Sequence, residues 1–403
     1  MENRLNHARL VSSLEKLGTI GIREDGKRYR LALSDGDKQA RDLLCGWIKD
    51  AGLELKIDAI GNIFGLLPGT ENGDPVIAGS HIDTVPNAGM FDGCVGVLSG
   101  LEALRTIAEK KLPHRRPLAV AAWTNEEGSR FLPGVLGSSV FVGDVTLEKA
   151  LAARDFSGMT AGAELNRIGY AGTDTLKACA YLEFHVEQGP FLDAEKIEIG
   201  VVTGITGLSR WGVTYKGEAN HAGTTPMNLR HDPLIAASKL HLAMSAAAAE
   251  KNAVFTIGHM EVAPGAVNVV PGTVFFTIDL RSQDRTVLDE LHARCEAEIR
   301  RCAREVGVEV ECVPTDHADP VSFAPRMIEK VERFANLRGL SNRRMGSGAG
   351  HDAQVFAPRV PTAMIFVPSI GGKSHCPEEL SDMKLVCQGA EILTDCLLEL
   401  ANE

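Results

Sequence analysis

Short apolar runs alternate with longer amphipathic segments over much of the chain. Pro75–His81 and Leu118–Thr124 are short and mainly apolar, which is typical of strands buried on both faces of a sheet. Lys38–Gly52 and Gly93–Lys110 instead have the periodicity and length of helices. This alternation predicts an α/β fold with a mainly parallel sheet flanked by helices. In such a sheet the ligand lies beyond the carboxyl ends of the strands.

The pattern changes near Ser209, where a second set of elements begins. In order they are a strand at Arg210–Lys216, a helix at Asp232–Glu250, strands at Val254–Val262 and Thr273–Leu280, a helix at Asp284–Val306 and a strand at Gly307–Val313. The order β-α-β-β-α-β is that of a ferredoxin-like sandwich. We therefore predict a catalytic domain of residues 1–208 and 316–403, with an inserted α+β domain of residues 209–315.

Composition limits the possible functions. The 403 residues exceed what one core usually serves, and 44% hydrophobic with 24% charged residues is ordinary for a soluble enzyme. A formal charge of −11 argues against nucleic acid or an anionic membrane as a partner. The nine cysteines are scattered, and no apolar window could span a bilayer. The N-terminus lacks the apolar stretch of a signal peptide, so we expect a cytoplasmic protein.

Histidines and carboxylates follow the ends of predicted strands, where a ligand would bind. The candidate metal ligands are His81, Asp92, Glu127, His185 and His375. Imidazole and carboxylate groups are ligands that zinc accepts, and catalytic zinc keeps one position for water. Two neighbouring ions need a bridging group, and Asp92 is the natural candidate. The pattern predicts a two-metal hydrolase.

Glu126 and Glu127 are adjacent and should have different tasks. Neighbouring side chains at a strand end point to different sides, so one can bind metal while the other accepts a proton from water. A solvated acidic pair is the alternative, but Trp123 and Phe131 indicate an enclosed loop. Asp83 could accept the spare ring N–H of His81 and fix its tautomer.

Six segments together carry a family resemblance. They are Gly79–Val85, Asn125–Phe131, His185–Pro190, Asn220–Met227, Gly348–Ala353 and Ser374–Glu379. In this order they resemble the amidase/hydantoinase/carbamoylase group of the dinuclear-metal aminoacylase and carboxypeptidase clan. The resemblance covers nearly the whole chain, including the inserted domain.

The resemblance implies roles for individual residues. It makes the five candidates the ligands of two divalent ions, with Asp92 bridging and Glu126 as general base; zinc is the default ion, and manganese, cobalt or nickel could replace it. It makes the inserted domain a lid that also forms a homodimer. His221 would stabilise the oxyanion in its own or the partner's site. The implied substrate contacts are Gln188 for the ureido group, Asn268 and Arg281 for the carboxylate, and the loop from Ser347 to Gly350 for an anion.

Several of these positions have ordinary structural alternatives. Arg281 could simply pair with Asp279, although its planar fork suits a small carboxylate. Asn268 could be a turn residue, and His221 an ordinary loop histidine. His351 precedes an aspartate in a glycine-rich loop, and its role stays open.

The resemblance implies hydrolysis of the carbamoyl C–N bond of N-carbamoyl-L-amino acids. Allantoate and N-carbamoyl-β-alanine are alternatives, because each also carries a ureido group and a carboxylate. A metal-binding dimer without catalysis is the alternative from another class. It is disfavoured because the five ligands and Glu126 are all present.

Overall fold

The computed structural model describes residues 2–403, which divide into two compact units. The first comprises residues up to Thr203 together with Ser322–Glu403, and the second is Gly204–Val321. The second unit is wider than the predicted 209–315. Its first strand begins at Gly207 and its last main strand ends at Ala318, because backbone pairing continues beyond the apolar positions that marked those strands in the sequence.

The helices and strands are numbered in chain order. The helices are α1 (His7–Gly18), α2 (Asp35–Asp50), α3 (Cys94–Glu109), α4 (Leu136–Val142), α5 (Leu147–Ala152), α6 (Ala161–Ile168), α7 (Phe191–Glu195), α8 (Pro233–Glu250), α9 (Arg285–Val306), α10 (Pro325–Leu337), α11 (Ala353–Phe356) and α12 (Met383–Leu400). The strands are β1 (Glu54–Ile57), β2 (Ile63–Leu67), β3 (Val76–His81), β4 (Leu118–Trp123), β5 (Ala180–Val186), β6 (Ile199–Ile205), β7 (Gly207–Lys216), β8 (Asn220–His221), β9 (Val254–Ala263), β10 (Val269–Val270), β11 (Thr273–Ser282), β12 (Glu309–Ala318), β13 (Val321–Ser322), β14 (Asn342–Ser347) and β15 (Thr362–Val367). Helices of this chain, as far as residues 2–403 show, are too short or too polar to cross a membrane.

The first unit is built on one large sheet with the order β1-β2-β4-β3-β5-β15-β6-β13, and β14 pairs with β6. Its central strands β4, β3, β5 and β15 are parallel, whereas β2 and β6 join them antiparallel. Every residue of the four central strands is buried, as expected for a sheet covered on both faces. The prediction of a mainly parallel α/β sheet is confirmed for this centre.

The carboxyl ends of the central strands lie level with one another. His81 at the end of β3 pairs with Trp123 at the end of β4, and Val186 at the end of β5 pairs with Val367 of β15. Parallel strands in this register bring the loops that follow them to one edge of the sheet. That edge collects residues from four distant parts of the sequence.

The second unit is a four-stranded antiparallel sheet with the order β12-β7-β11-β9. Residues of β7 and β11 alternate between buried and half-buried positions, so one face carries the core. Trp211, Val213 and Tyr215 of β7 pack there against apolar residues of α8 and α9. This is the ferredoxin-like arrangement predicted from the sequence. The short β8–β10 pair was not predicted.

A buried ion pair within α2 supports the first unit. Arg41 Nε donates to Asp37 Oδ2 at 2.7 Å, and the two side chains are 1% and 0% exposed. Arg41 also donates to the carbonyl of Gly61 and to Thr124 Oγ1, so it connects α2 to the loop before β2 and to the end of β4.

Replacing Arg41 by methionine should lower the free energy of unfolding by about 3–5 kcal/mol, because Asp37 would keep a buried charge without its partner. Urea unfolding followed by circular dichroism measures this. Lys38→Met is the matched control, since it breaks the exposed pair with Asp42 in the same helix and should cost less than about 1 kcal/mol. Equal urea midpoints for the two variants would contradict the prediction.

Candidate metal centre and active site

The carboxyl edge of the sheet carries the five predicted ligands. His81 is the last residue of β3, and His185 is the next-to-last residue of β5. The other three lie in connecting segments: Asp92 between β3 and α3, Glu127 after β4, and His375 between β15 and α12. They form two groups that share one residue.

The first group consists of His81, Asp92 and His185, whose potential ligand atoms all lie within 4.8 Å of one another. Asp92 Oδ1 is 3.6 Å from His81 Nε2 and 3.2 Å from His185 Nε2. All three side chains are buried. Two imidazole nitrogens therefore converge on one carboxylate oxygen in an enclosed place.

The second group consists of Asp92, Glu127 and His375, again within 4.8 Å. Asp92 Oδ2 is 3.1 Å from His375 Nε2, which is 3.6 Å from Glu127 Oε2. The His375 side chain is 50% exposed, so this group is open to solvent. The two oxygens of Asp92 thus face different groups, as a bridging carboxylate requires.

Main-chain carbonyls set the orientation of the buried imidazoles. His81 Nδ1 contacts the carbonyl of Asp83, and His185 Nδ1 contacts that of Val186, each at 2.9 Å. A carbonyl only accepts, so both Nδ1 atoms must carry hydrogen, and both Nε2 atoms face Asp92. The ring N–H of His81 is therefore accepted by the main chain of Asp83 and not by its carboxylate. Its carboxylate is 4.0 Å from that ring and accepts the N–H of Glu126 at 3.3 Å.

The two adjacent glutamates diverge, one toward each group. Glu126 Oε2 lies 3.5 Å from His81 Nε2, whereas Glu127 faces His375 and accepts the N–H of Val85 at 3.2 Å. The preceding Asn125 has a φ of 57°, and its amide donates to the carbonyl of Phe131. This turn at the end of β4 is what separates the two carboxylates.

Burial and mutual charge shift the ionisation of these groups. Burial raises the pKa of Glu126 well above its ordinary value, and burial together with Asp92 raises that of Glu127 to about 8. Burial acts the same way on Asp92, but hydrogen bonds from the three imidazoles hold its pKa well below the ordinary value. The hydrogen bond to Asp92 raises the pKa of His375 to about 9.

Gly93 permits the close approach of α3 to this centre. A Cβ built at Gly93 would lie 2.4 Å from His81 Nε2, and the residue has a φ of 64°. Both the space and the backbone conformation therefore require glycine at this position.

Three further predicted site residues belong to the first unit: Gln188 follows β5, Ser347 ends β14 and Gly350 lies in the loop after it. Gln188 Nε2 donates to Asp92 Oδ2 at 2.9 Å, and its Oε1 is buried without a hydrogen-bond partner among residues 2–403. Ser347 Oγ contacts His351 Nε2 at 2.9 Å and accepts the N–H of Ala349, so it organises its own loop. Gly350 is exposed in that loop. Of the three, Gln188 directly contacts the two groups.

The remaining predicted residues belong to the second unit. His221 is exposed on β8, where its Nδ1 accepts the N–H of Gly223 at 3.0 Å. Asn268 directly precedes β10, whose Val269 pairs with His221, and its carbonyl accepts the N–H of Ala222. Arg281 makes a two-point contact with Asp279, at 2.8 and 3.1 Å. The pairing considered as the alternative for Arg281 is therefore formed.

Sequence reasoning missed Glu183, and it left His351 open. The His351 ring is 4.5 Å from that of His185 and meets it edge to face. Glu183 lies two residues before His185 on β5, and its oxygens accept the hydroxyl of Ser80 and the N–H of Ala353. The period of two along a strand places Glu183 on the face of His185, and this signal would have found it.

The donor set fits a pair of divalent cations. Three imidazole nitrogens and two carboxylates are the mixed ligands that zinc and similar ions accept. The Oε1 of Gln188 adds a buried polar atom that no group of residues 2–403 satisfies with a hydrogen bond.

Comparisons with known proteins show which family this chain is similar to. A family model described as peptidase family M20/M25/M40 matches residues 77–399. An N-carbamoyl-L-amino-acid amidohydrolase of Rhizobium meliloti is 41% identical, covering 99% of this chain and 97% of the relative. An allantoate amidohydrolase of Bacillus subtilis (strain 168) is 36% identical, covering 97% of each. A solved hydantoinase/carbamoylase family amidase from Burkholderia multivorans has a TM-score of 0.96 at 39% identity, covering 99% of each chain.

Proposed function

This chain belongs to peptidase family M20/M25/M40 and, within it, to the hydantoinase/carbamoylase amidases, and from that membership we propose that it hydrolyses N-carbamoyl-L-amino acids. Water would add to the carbamoyl carbon and one C–N bond would break. The carbamic acid that remains would lose carbon dioxide as its own C–N bond breaks, so the products would be the amino acid, ammonia and carbon dioxide. Allantoate and N-carbamoyl-β-alanine are the alternative substrates. Two relatives named allantoate amidohydrolase support the alternative of allantoate.

The position of Asp92 is the observation that supports this proposal most strongly. Its two oxygens face separate groups, so His81 and His185 would hold one ion with it, and Glu127 and His375 the other. When bound, two such ions supply a polarised carbonyl and a water of lowered pKa. We take zinc as the default ion, with manganese, cobalt or nickel as substitutes.

Glu126 is the proposed general base. Its side chain lies beside His81, is 9% exposed and belongs to neither group, so its carboxylate is available to the substrate water. A carboxylate with a raised pKa is a stronger base than an ordinary glutamate. Glu126 would take the proton from the attacking water and then give it to the departing nitrogen.

Other residues would bind and orient the substrate. The free Oε1 of Gln188 can accept a ureido N–H. Arg281, held in place by Asp279, offers a planar cation for the carboxylate, and Asn268 would assist it. The loop from Ser347 to Gly350 would add main-chain N–H groups.

The second unit has proposed roles of its own. It would act as a lid that excludes water, and it would form a homodimer. His221 of one of the two subunits would then stabilise the oxyanion. We place the protein in the cytoplasm, in keeping with its nine free cysteines.

Ammonia release from a panel of substrates tests the function. The wild-type protein, reconstituted separately with zinc, manganese, cobalt and nickel, is assayed on N-carbamoyl-L-methionine, its D-enantiomer, N-carbamoyl-β-alanine and allantoate. We expect the highest kcat/KM for the L-amino acid derivative, with the D-enantiomer as matched control. A higher value for allantoate or the β-alanine derivative would transfer the assignment to that substrate. Inactivity on all of them with every ion would refute the proposal.

Metal loading should release protons, and more at pH 7 than at pH 9.5. In the metal-free protein the pKa values of Glu127 and His375 are about 8 and about 9, so both are protonated at pH 7 and must lose a proton to bind an ion. Apparent metal affinity should therefore rise with pH through this range. Calorimetry in buffers of different ionisation enthalpy counts the protons, and His375→Ala should release fewer. The same count at both pH values would contradict the prediction.

A further inference from the structure

The carboxylate of Glu379 connects two loops that carry proposed metal ligands. Its Oε1 accepts the main-chain N–H groups of Phe91 and Asp92, at 3.0 and 3.1 Å. Its Oε2 accepts the hydroxyl of Ser374 at 2.9 Å. Glu379 thus binds Asp92 directly and also holds the residue next to His375. One side chain therefore connects the loop of Asp92 to the loop of His375.

Glu379 is enclosed by the loop that it holds. The residue is 5% exposed, and a Cβ built at Gly89 would lie 2.4 Å from Glu379 Oε1. The chain at Gly89 therefore passes directly over the carboxylate, leaving no room for a side chain. This packing fixes the carboxylate, so its three hydrogen bonds define the spacing between the two loops.

The two groups differ in how much they depend on this connection. The buried imidazoles of His81 and His185 each donate a hydrogen bond from Nδ1 to a main-chain carbonyl, which fixes their orientation. His375 is half exposed, lies on a loop rather than a strand, and has a φ of 55°. A residue with a positive φ keeps that conformation only where neighbouring groups stabilise it. For the loop of His375, one such group is Glu379, which accepts a hydrogen bond from the adjacent Ser374.

We propose that Glu379 is a positioning residue for the group of Asp92, Glu127 and His375, keeping His375 at the correct distance from Asp92 to bind a divalent ion. The inference rests on the proposed metal centre. Glu379 does not touch the ion or the substrate. It acts through Ser374 on one side and through the main chain of Asp92 on the other.

The test is zinc binding to metal-free protein, measured by calorimetry and by metal content after gel filtration. The wild type should bind two ions. Glu379→Ala should keep the ion of His81 and His185 and bind the other about 10- to 100-fold more weakly, the usual effect of losing a group that supports a ligand. Ser374→Ala removes one hydroxyl and should weaken the same ion by a smaller factor.

Two further variants separate positioning from general stability. Glu379→Gln should bind both ions nearly as the wild type does, because its amide oxygen can accept both N–H groups and its NH₂ can donate to Ser374. Glu378→Ala is the matched control, since this neighbouring glutamate is exposed in the same loop. Its affinities should equal those of the wild type.

The proposal is overturned if Glu379→Ala binds both ions with wild-type affinity, even when its melting temperature falls. Should that variant not fold, Ser374→Ala decides, and an unchanged second affinity overturns the proposal equally. Failure of the metal centre itself would look different, because the wild type would then not bind two ions. Equal binding by the wild type and every variant rejects the role of Glu379 alone.

Discussion

Glu126→Gln should lower kcat on an N-carbamoyl-L-amino acid by roughly 100- to 10,000-fold while both ions stay bound. The amide keeps the size of the side chain but cannot take a proton from water. Metal content should persist because Glu126 belongs to neither ligand group, although its Oε2 is 3.5 Å from His81 Nε2. Steady-state ammonia release and metal analysis of the same preparation measure both quantities.

Glu126→Asp is the informative companion variant. It keeps a carboxylate but withdraws it by one methylene, so we expect an activity between those of the wild type and the glutamine variant. If the glutamine variant kept more than about a tenth of the wild-type kcat, Glu126 would not be the base. If it lost an ion, Glu126 would be a ligand instead.

Asp92→Ala should remove both ions and all measurable activity. Each group contains Asp92, with Oδ1 facing His81 and His185 and Oδ2 facing His375. Removing it leaves each group with two ligands where a catalytic site usually has three from the protein. Metal content by mass spectrometry and ammonia release at saturating substrate measure the loss, which should exceed that of any other single ligand variant.

Asp74→Ala is the control for that experiment. Asp74 is exposed just before the start of β3, at the opposite end of the strand from His81. Its replacement should leave metal content and kcat unchanged. An Asp92→Ala protein that retained one tightly bound ion would show that Asp92 serves only one group, and the arrangement of two ions sharing Asp92 would be wrong.

Continuous apolar runs made most of the fold predictable. Helix α3 was predicted at Gly93–Lys110 and is observed at Cys94–Glu109, and β3 and β4 were likewise placed to within a residue at each end. These segments are buried over most of their length, so burial leaves a direct trace in the sequence. No range was predicted for strand β5, because Glu183 and His185 interrupt its apolar run and are satisfied only by tertiary contacts.

The candidate site could be predicted where a side chain able to bind metal comes at or just after the end of a strand. His81 and Glu127 could be placed for that reason, together with the resemblance. Glu379 could not, because the sequence offers no difference between it and Glu378. One is buried under Gly89 and the other is exposed, and only the folded chain distinguishes them. The contact of Asp83 through its main chain was likewise invisible in the sequence.

The order of the ligands along the chain has a consequence for synthesis. His81 and His185 precede the second unit, whereas His375 follows it, close to the C-terminus. The ribosome therefore adds the last member of the second group only after the whole second unit has been made, and β5, which carries His185, also waits for its parallel partner β15. A translation product that stops before residue 375 would therefore keep only Asp92 and Glu127 of the second group.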